Sequence, residues 1–357
     1  MVNAFYDRLR PFQLTLQQYG YDLRLASAEV DGGGTAPVMI QFPTAQIGQQ
    51  TLIVLPDVHL AAGNAGDVFY NGSPENPRRL TAVLKAMQAF SQQNQPTTLL
   101  QLGDWYDVWR SIGADATSAQ YSPIDNVAAY QELLGLDKAL ELAHCYGNHD
   151  ASFTHALPDR RVADQNRFRF GFGLLNSKGR VYALHGHQAD SIQGEPNSTG
   201  DIRAVWLGTV AANYLSSKFR SLEEYMDKEG NLAGAKDWLL KLLGVNRDDP
   251  VPVGRPAQPP PNDGQTWNAK FVKRESMSSL VAIAQAAVDR LYTNSANLEF
   301  LIVGHSHKPC VGWTSHPKTQ KPVVVIDCGA WVYGQANLMF AAGNVAAVYD
   351  IVKFGTP

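Results

Sequence analysis

Short apolar runs that stop at a glycine, a proline or a polar cluster recur along this chain, and segments with apolar residues at helical spacing separate them. "TLIVLPDVHL" (51–60) opens with a β-branched apolar run that stops near Pro56. Residues 77–95 begin with Pro77, suited to a first helical turn, and then carry Leu80, Val83, Leu84, Met87 and Phe90 on one helical face. The same pattern predicts strands within 97–109, 140–150, 180–188, 298–307, 322–331 and 344–352, and a helix near 126–138. Strand and helix in alternation imply an α/β architecture whose strands pair in parallel through helical crossovers.

Between 188 and 297 the pattern changes. Residues 201–219, 234–245 and 276–292 read as helices, the first with Asp201 placed to cap it, and 248–265 is too rich in proline and glycine for regular structure. Both flanks belong to the α/β core, so the stretch reads as a mostly helical cap insertion. Its Trp206, Tyr214, Phe219 and Trp238 either line an apolar pocket for a lipid or nucleoside group, or bury against the core or form a dimer face. The expected organisation is an N-terminal extension (1–48) whose fold the pattern does not fix, a core (49–187 and 298–357) and the insertion (188–297).

Composition narrows the class. The 357 residues are 45% hydrophobic and 18% charged, enough apolar content for a substantial core. A formal net charge of −3 gives no general attraction to nucleic acid or to an anionic membrane. The three cysteines, Cys145, Cys310 and Cys328, lack Cys-x-x-Cys spacing, which disfavours a disulfide framework or thiolate zinc site and fits burial in a reducing compartment. The first twenty residues hold no continuous apolar segment, and no stretch approaches the ~20 apolar residues that span a bilayer. The expectation is a cytoplasmic protein with no transmembrane segment.

The chemistry collects where strands end. The first strand exits into Asp57 and His59, the second into Asp104 and Asp107, and the third into Asn148, His149 and Asp150. The fourth exits into His185 and His187, and the fifth into His305 and His307. Five of the nine histidines (59, 149, 185, 305 and 307) thus fall at candidate ligand or catalytic positions. In an open α/β sheet such loops hold ligands. Carboxylate, imidazole and carboxamide donors without thiolate suit manganese first, with iron or zinc as alternatives. So many donors exceed one tetrahedral site, and two divalent metal ions sharing a carboxylate is the economical arrangement. Two ions ~3.5–4 Å apart can clamp the attacking and leaving oxygens of a displacement at phosphorus and lower the pKa of water, which points to phosphate-ester hydrolysis.

Asp57-x-His59, Gly103-Asp104-x-x-Asp107, Gly147-Asn148-His149-Asp150, His185-Gly186 and Gly304-His305-x-His307 resemble the five motif blocks of the calcineurin-like metallophosphoesterases, in that family's order. The resemblance implies a four-layer αββα sandwich of two mixed β-sheets. It implies one ion held by Asp57, His59 and His307 and a second by Asn148, His185 and His305, with Asp104 between them. It further implies attack by a hydroxide shared between the ions, with His149 assisting the leaving group and Asp107 orienting that imidazole. His187 and Arg110 are candidate substrate contacts, each open to a plain surface role.

The second block reads "GDWYDVW", with Val108 where the family's phosphoprotein phosphatases carry arginine. That loop, "GHSHKP" and "DCGAWVYG" are more similar to the bacterial branch containing UDP-2,3-diacylglucosamine diphosphatase, although that branch carries arginine at the position of His149. The expected reaction is hydrolysis of a phosphodiester or pyrophosphate bond, in a small phosphate ester or a lipid-linked pyrophosphate. A phosphomonoesterase, a nuclease and a non-catalytic interaction module on the same scaffold are the alternatives.

Overall fold

Residues Thr51–Leu55 are buried at every position, and a strand achieves that only when both of its faces are covered. The computed structural model of the chain describes residues 2–29, 34–41, 50–61, 63, 67–93, 96–107, 127–145, 147, 149, 168–169, 171–173, 180–186, 297–316 and 319–355. The chain starts with α1 (Val2–Gln18), β1 (Tyr21–Leu25), β2 (Ser27–Glu29), β3 (Thr35–Pro37) and β4 (Met39–Gln41). Then come β5 (Thr51–Leu55), α2 (Val68–Gly72), α3 (Asn76–Ser91), β6 (Thr97–Gln101), α4 (Gln131–Leu140) and β7 (Ala143–Cys145). After β8 (Phe168–Arg169), β9 (Gly171–Gly173) and β10 (Val181–Leu184), the remaining elements named among the described residues are strands. These are β11 (Phe300–Val303), β12 (Cys310–Ser315), β13 (Pro322–Asp327), β14 (Asn337–Ala342) and β15 (Val345–Lys353).

Two mixed sheets result. The larger runs β1-β15-β14-β5-β6-β7-β8, with β4 also beside β15. Its β5 to β8 are parallel, and β14 is antiparallel to both β5 and β15. The smaller runs β12-β13-β11-β10-β9, parallel through its three central strands and antiparallel at both edges.

Alternation along each strand sorts the side chains. Leu52 and Val54 of β5, with Leu100 of β6, meet Val181, Phe300, Ile302, Val324 and Ile326 of the smaller sheet in the core between the sheets. Ile53 and Leu55 point the other way, into a second core closed by α1, α3 and α4. Phe340 of β14 anchors it, with the rings of Phe5, Phe12 and Phe90 centred 5.7, 6.1 and 5.9 Å away. The outward face of the smaller sheet carries Leu301, Val303, Val323 and Val325, also buried.

Of the expected four-layer αββα sandwich, the described residues hold one helical layer and the two mixed sheets packed face to face, a mixed α/β fold. The cap over 188–297 lies outside the described residues. The segment expected as an N-terminal extension is built into the larger sheet's layer. Phe5, Leu9, Phe12 and Leu16 of α1 enter the outer core, and β1 pairs with β15 along its whole length. Cys145, Cys310 and Cys328 are buried and stand outside any disulfide. Among the described residues no helix is long and apolar enough to cross a membrane.

Candidate metal centre

The strand ends are tied together by backbone before any side chain is considered. The main-chain oxygen of Asp104 accepts from the amides of Val58 and His59 at 3.0 and 2.7 Å, and that of Asp57 accepts from Trp331 at 2.8 Å. The exits of β5, β6 and β13 are thereby locked to one another. His59, Asp104, His305 and His307 have φ of 59, 49, 72 and 59°, four of the seven positive-φ non-glycine residues among those described. Left-handed backbone costs such residues free energy and persists only where the surroundings hold it. Two glycines make the fit possible. A Cβ on Gly147 would overlap Oδ1 of Asp104, and one on Gly304 would overlap Oδ1 of Asp57. Each carboxylate lies directly against a bare Cα.

Both aspartates are split between backbone and imidazole. Oδ1 of Asp104 accepts from the His149 amide at 2.8 Å, while Oδ2 faces Nε2 of His185 at 3.3 Å and Nε2 of His59 at 3.5 Å. Oδ2 of Asp57 accepts from the His305 amide at 2.9 Å and stands 3.3 Å from Nε2 of His307. Oδ1 of Asp57 is buried with no hydrogen-bond partner among the described residues.

The rings are oriented from behind. Asp107, buried, accepts from Nδ1 of His59 at 3.2 Å through one oxygen and from Nδ1 of His149 at 2.9 Å through the other. Nδ1 of His185 donates to the Leu102 carbonyl at 3.0 Å. With the proton on Nδ1, Nε2 of His59 and of His185 presents a lone pair. Those lone pairs face the Asp104 carboxylate, and Nε2 of His59 also faces Nε2 of His307 at 3.1 Å. Acceptors aimed at acceptors repel unless a positive charge lies among them. Together with the unsatisfied oxygen of Asp57, this donor set fits divalent cations.

Protonation agrees with that reading. Burial opposes ionisation of Asp104, but His185, His149 and His59 outweigh it and hold the carboxyl well below the usual carboxylate range. Burial likewise opposes the Asp57 charge, and His185 and His307 outweigh it. The His59 imidazole is pushed down, first by burial and then by its neighbour His149. Ionised carboxylates beside a neutral imidazole are the states in which these groups bind metal. Three groups offer ligand atoms all within 4.8 Å of one another: Asp57, His59 and His307; Asp104, His185 and His305; and His59, Asp107 and His149.

The fold thus brings together Asp57, His59, Asp104, Asp107, His149, His185, His305 and His307. Asn148, His187 and Arg110 lie outside the described residues. His307, 31% exposed, and His149, 12% exposed, are more open than His59, His185 and the aspartates, which are all but sealed. The sequence reading missed Asp327 and Ser306. Oγ of Ser306 donates to Oδ2 of Asp327 at 2.7 Å, Oδ1 accepts from the Gly329 amide at 2.9 Å, and burial raises this carboxyl well above its ordinary value. The signal was an acid closing the otherwise apolar run of β13.

A family model described as calcineurin-like phosphoesterase matches residues 51–309, which include every one of these site positions except Asp327. The chain belongs to the calcineurin-like phosphoesterase family. It is accordingly a metal-dependent hydrolase of phosphate esters. Among solved structures the phosphoesterase is similar to a metallophosphoesterase from Sphaerobacter thermophilus, with 12% identity over 85% of this chain and 88% of that one and a TM-score of 0.31. It is also similar to a 5'-nucleotidase from Candida albicans, with 11% identity over 82% of this chain and 47% of that one and a TM-score of 0.30. No curated protein matches it.

Proposed function

We propose that this phosphoesterase holds two divalent ions and hydrolyses a phosphodiester or pyrophosphate bond. The observation that carries the reading is the position of Asp104. One of its oxygens is faced by Nε2 of His59 and by Nε2 of His185, which belong to different donor groups. A carboxylate between two sets of donors is what a shared ligand requires. Asp57, His59 and His307 would hold one ion and Asp104, His185 and His305 the other, with Asn148 added to the second by the family resemblance. When bound, the ions supply Lewis acidity to a phosphoryl oxygen and lower the pKa of water. Manganese suits the oxygen and imidazole donors best, with iron or zinc as alternatives.

The chain's own residues supply the rest. His149 donates from Nδ1 to Asp107, so Nε2 is the atom that can hold a proton for a leaving oxygen. Asp107 fixes that tautomer and favours the protonated ring. The greater exposure of His149 and His307 supports substrate approach from their side of the cluster. A small phosphate ester or a lipid-linked pyrophosphate enters there, and His187 and Arg110 remain proposed contacts. Three buried cysteines outside any disulfide support a reducing, cytoplasmic setting.

The test is hydrolysis of bis(p-nitrophenyl) phosphate, p-nitrophenyl phosphate and a panel of nucleotide and lipid pyrophosphates, after chelation and after return of Mn²⁺, Zn²⁺ or Fe²⁺. Turnover of diesters or pyrophosphates restored by metal is expected. Activity confined to monoesters would replace the specificity, and activity indifferent to chelation would overturn the metal mechanism.

A further inference from the structure

Gln101 closes β6, fully buried and polar where the strand is otherwise turning apolar. Its amide reaches both loops that bear the buried carboxylates. Nε2 donates to the carbonyl of Gly103 at 2.6 Å and to that of Pro56 at 3.4 Å, and Oε1 accepts from the Gly103 amide at 2.9 Å. Pro56 immediately precedes Asp57, and Gly103 immediately precedes Asp104. One side chain therefore ties down the peptide units before both aspartates.

A second pair fixes the amide itself. His144 lies opposite Gln101 in the register of β6 and β7, and its Nδ1 is 3.1 Å from Oε1 of Gln101. Its Nε2 is 2.9 Å from Oδ1 of Asp137 on α4, and the Trp105 ring packs edge-on against the imidazole, 5.3 Å between centroids. Oε1 already takes the Gly103 amide, so the oxygen end faces His144 and Nδ1 donates to it. Half a turn of the amide would set N–H against both of these donors. All three side chains are buried. Desolvation offsets much of what the hydrogen bonds of such a network contribute to stability. The network supplies direction. Asp104 at φ 49° holds a conformation that neighbouring structure must enforce, just after Gly103 at φ 104°, which a glycine adopts freely.

We infer that Gln101, oriented by His144 and Asp137, is a positioning residue that sets Asp57 and Asp104 for cation binding. The inference rests on the two-ion reading above. Groups that orient metal ligands typically weigh about 10–100-fold in metal affinity.

The test is titration of the metal-free protein with Mn²⁺, beside thermal melting of the metal-free protein. Gln101→Leu is expected to weaken Mn²⁺ binding by about 10–100-fold, and His144→Asn by about 10-fold. Asp137→Asn keeps an oxygen within reach of His144 and is expected to bind Mn²⁺ nearly as the unaltered chain does. A purely structural role would lower the melting temperature of the metal-free protein and leave Mn²⁺ affinity unchanged, and that result overturns the inference. Should Gln101→Leu not fold, His144→Asn carries the same two outcomes. If the unaltered chain binds no Mn²⁺, the two-ion reading fails and takes the inference with it. If Asp104→Asn loses Mn²⁺ while Gln101→Leu and His144→Asn keep it, the inference alone fails.

Discussion

The larger and smaller sheets meet at the cluster but hold their contributions differently. Asp57, His59, Asp104 and Asp107 leave the larger sheet, are buried, and are bound by a web of main-chain contacts between the exits of β5 and β6. His305 and His307 leave the smaller sheet on a loop that is partly open to solvent. That loop is tied through the Gly304 amide to His185, through the His305 amide to Asp57, and through Ser306 to Asp327. The ionised carboxylates Asp57 and Asp104 therefore belong to the larger sheet, and the smaller sheet adds imidazoles, sealed at His185 and more open at His305 and His307. A rigid anionic frame resists the collapse that its own repulsion would otherwise drive, and a more open imidazole side leaves room for a substrate.

Gly147→Ala attacks the frame where it is tightest, because the new methyl overlaps the Asp104 carboxylate. Losing stabilisation of several kcal/mol at the ions corresponds to about 10³-fold or more in kcat. The measurement is turnover at saturating Mn²⁺ with circular dichroism to verify the fold. His149→Ala leaves the frame intact and removes the proton donor. A fall of about 10²-fold in kcat is expected, with Mn²⁺ affinity nearly unchanged. Ser306→Ala loosens the smaller sheet's loop, and a loss of about 10-fold in Mn²⁺ affinity is expected by titration.

The smallest effect lies far from the cluster. The Tyr21 hydroxyl donates to Glu75 at 3.0 Å. Burial, and then this carboxylate, raise it from 10.0 to about 12. The folded chain therefore keeps a proton that the unfolded chain releases as pH rises past 10.0. Its contribution is complete below that pH and is lost as pH climbs through about 12. Tyr21→Phe should cost about 1 kcal/mol at neutral pH and flatten the alkaline fall in Tm, as thermal melts at several pH values would read.

Much of this was legible from pattern. The strand windows around Thr51–Leu55, Phe300–Val303 and Pro322–Asp327 hold strands, and Pro77 with its helical spacing marked α3. The described motif residues lie together, because β5, β6 and β7 in one sheet and β10 and β11 in the other run parallel and deliver their exits to one edge. Helix α1 escaped notice although Phe5, Leu9, Phe12 and Leu16 follow helical spacing, since Pro11 and scattered polar residues broke the outline. β14 escaped because its short apolar run has no period of its own, and its place is set by pairing with β5 and β15. The positive φ of His59, Asp104, His305 and His307 is imposed by contacts remote in sequence. Gln101 and His144 look like stray polar residues until register sets them side by side.

The central claim is that Asp104 is shared by two cations. Metal analysis of the purified protein reconstituted with Mn²⁺ addresses it most directly. Two ions per chain in the unaltered protein, falling to one or none in a folded Asp104→Asn variant, is the predicted result. A single ion per chain, or two ions retained after that substitution, would contradict it.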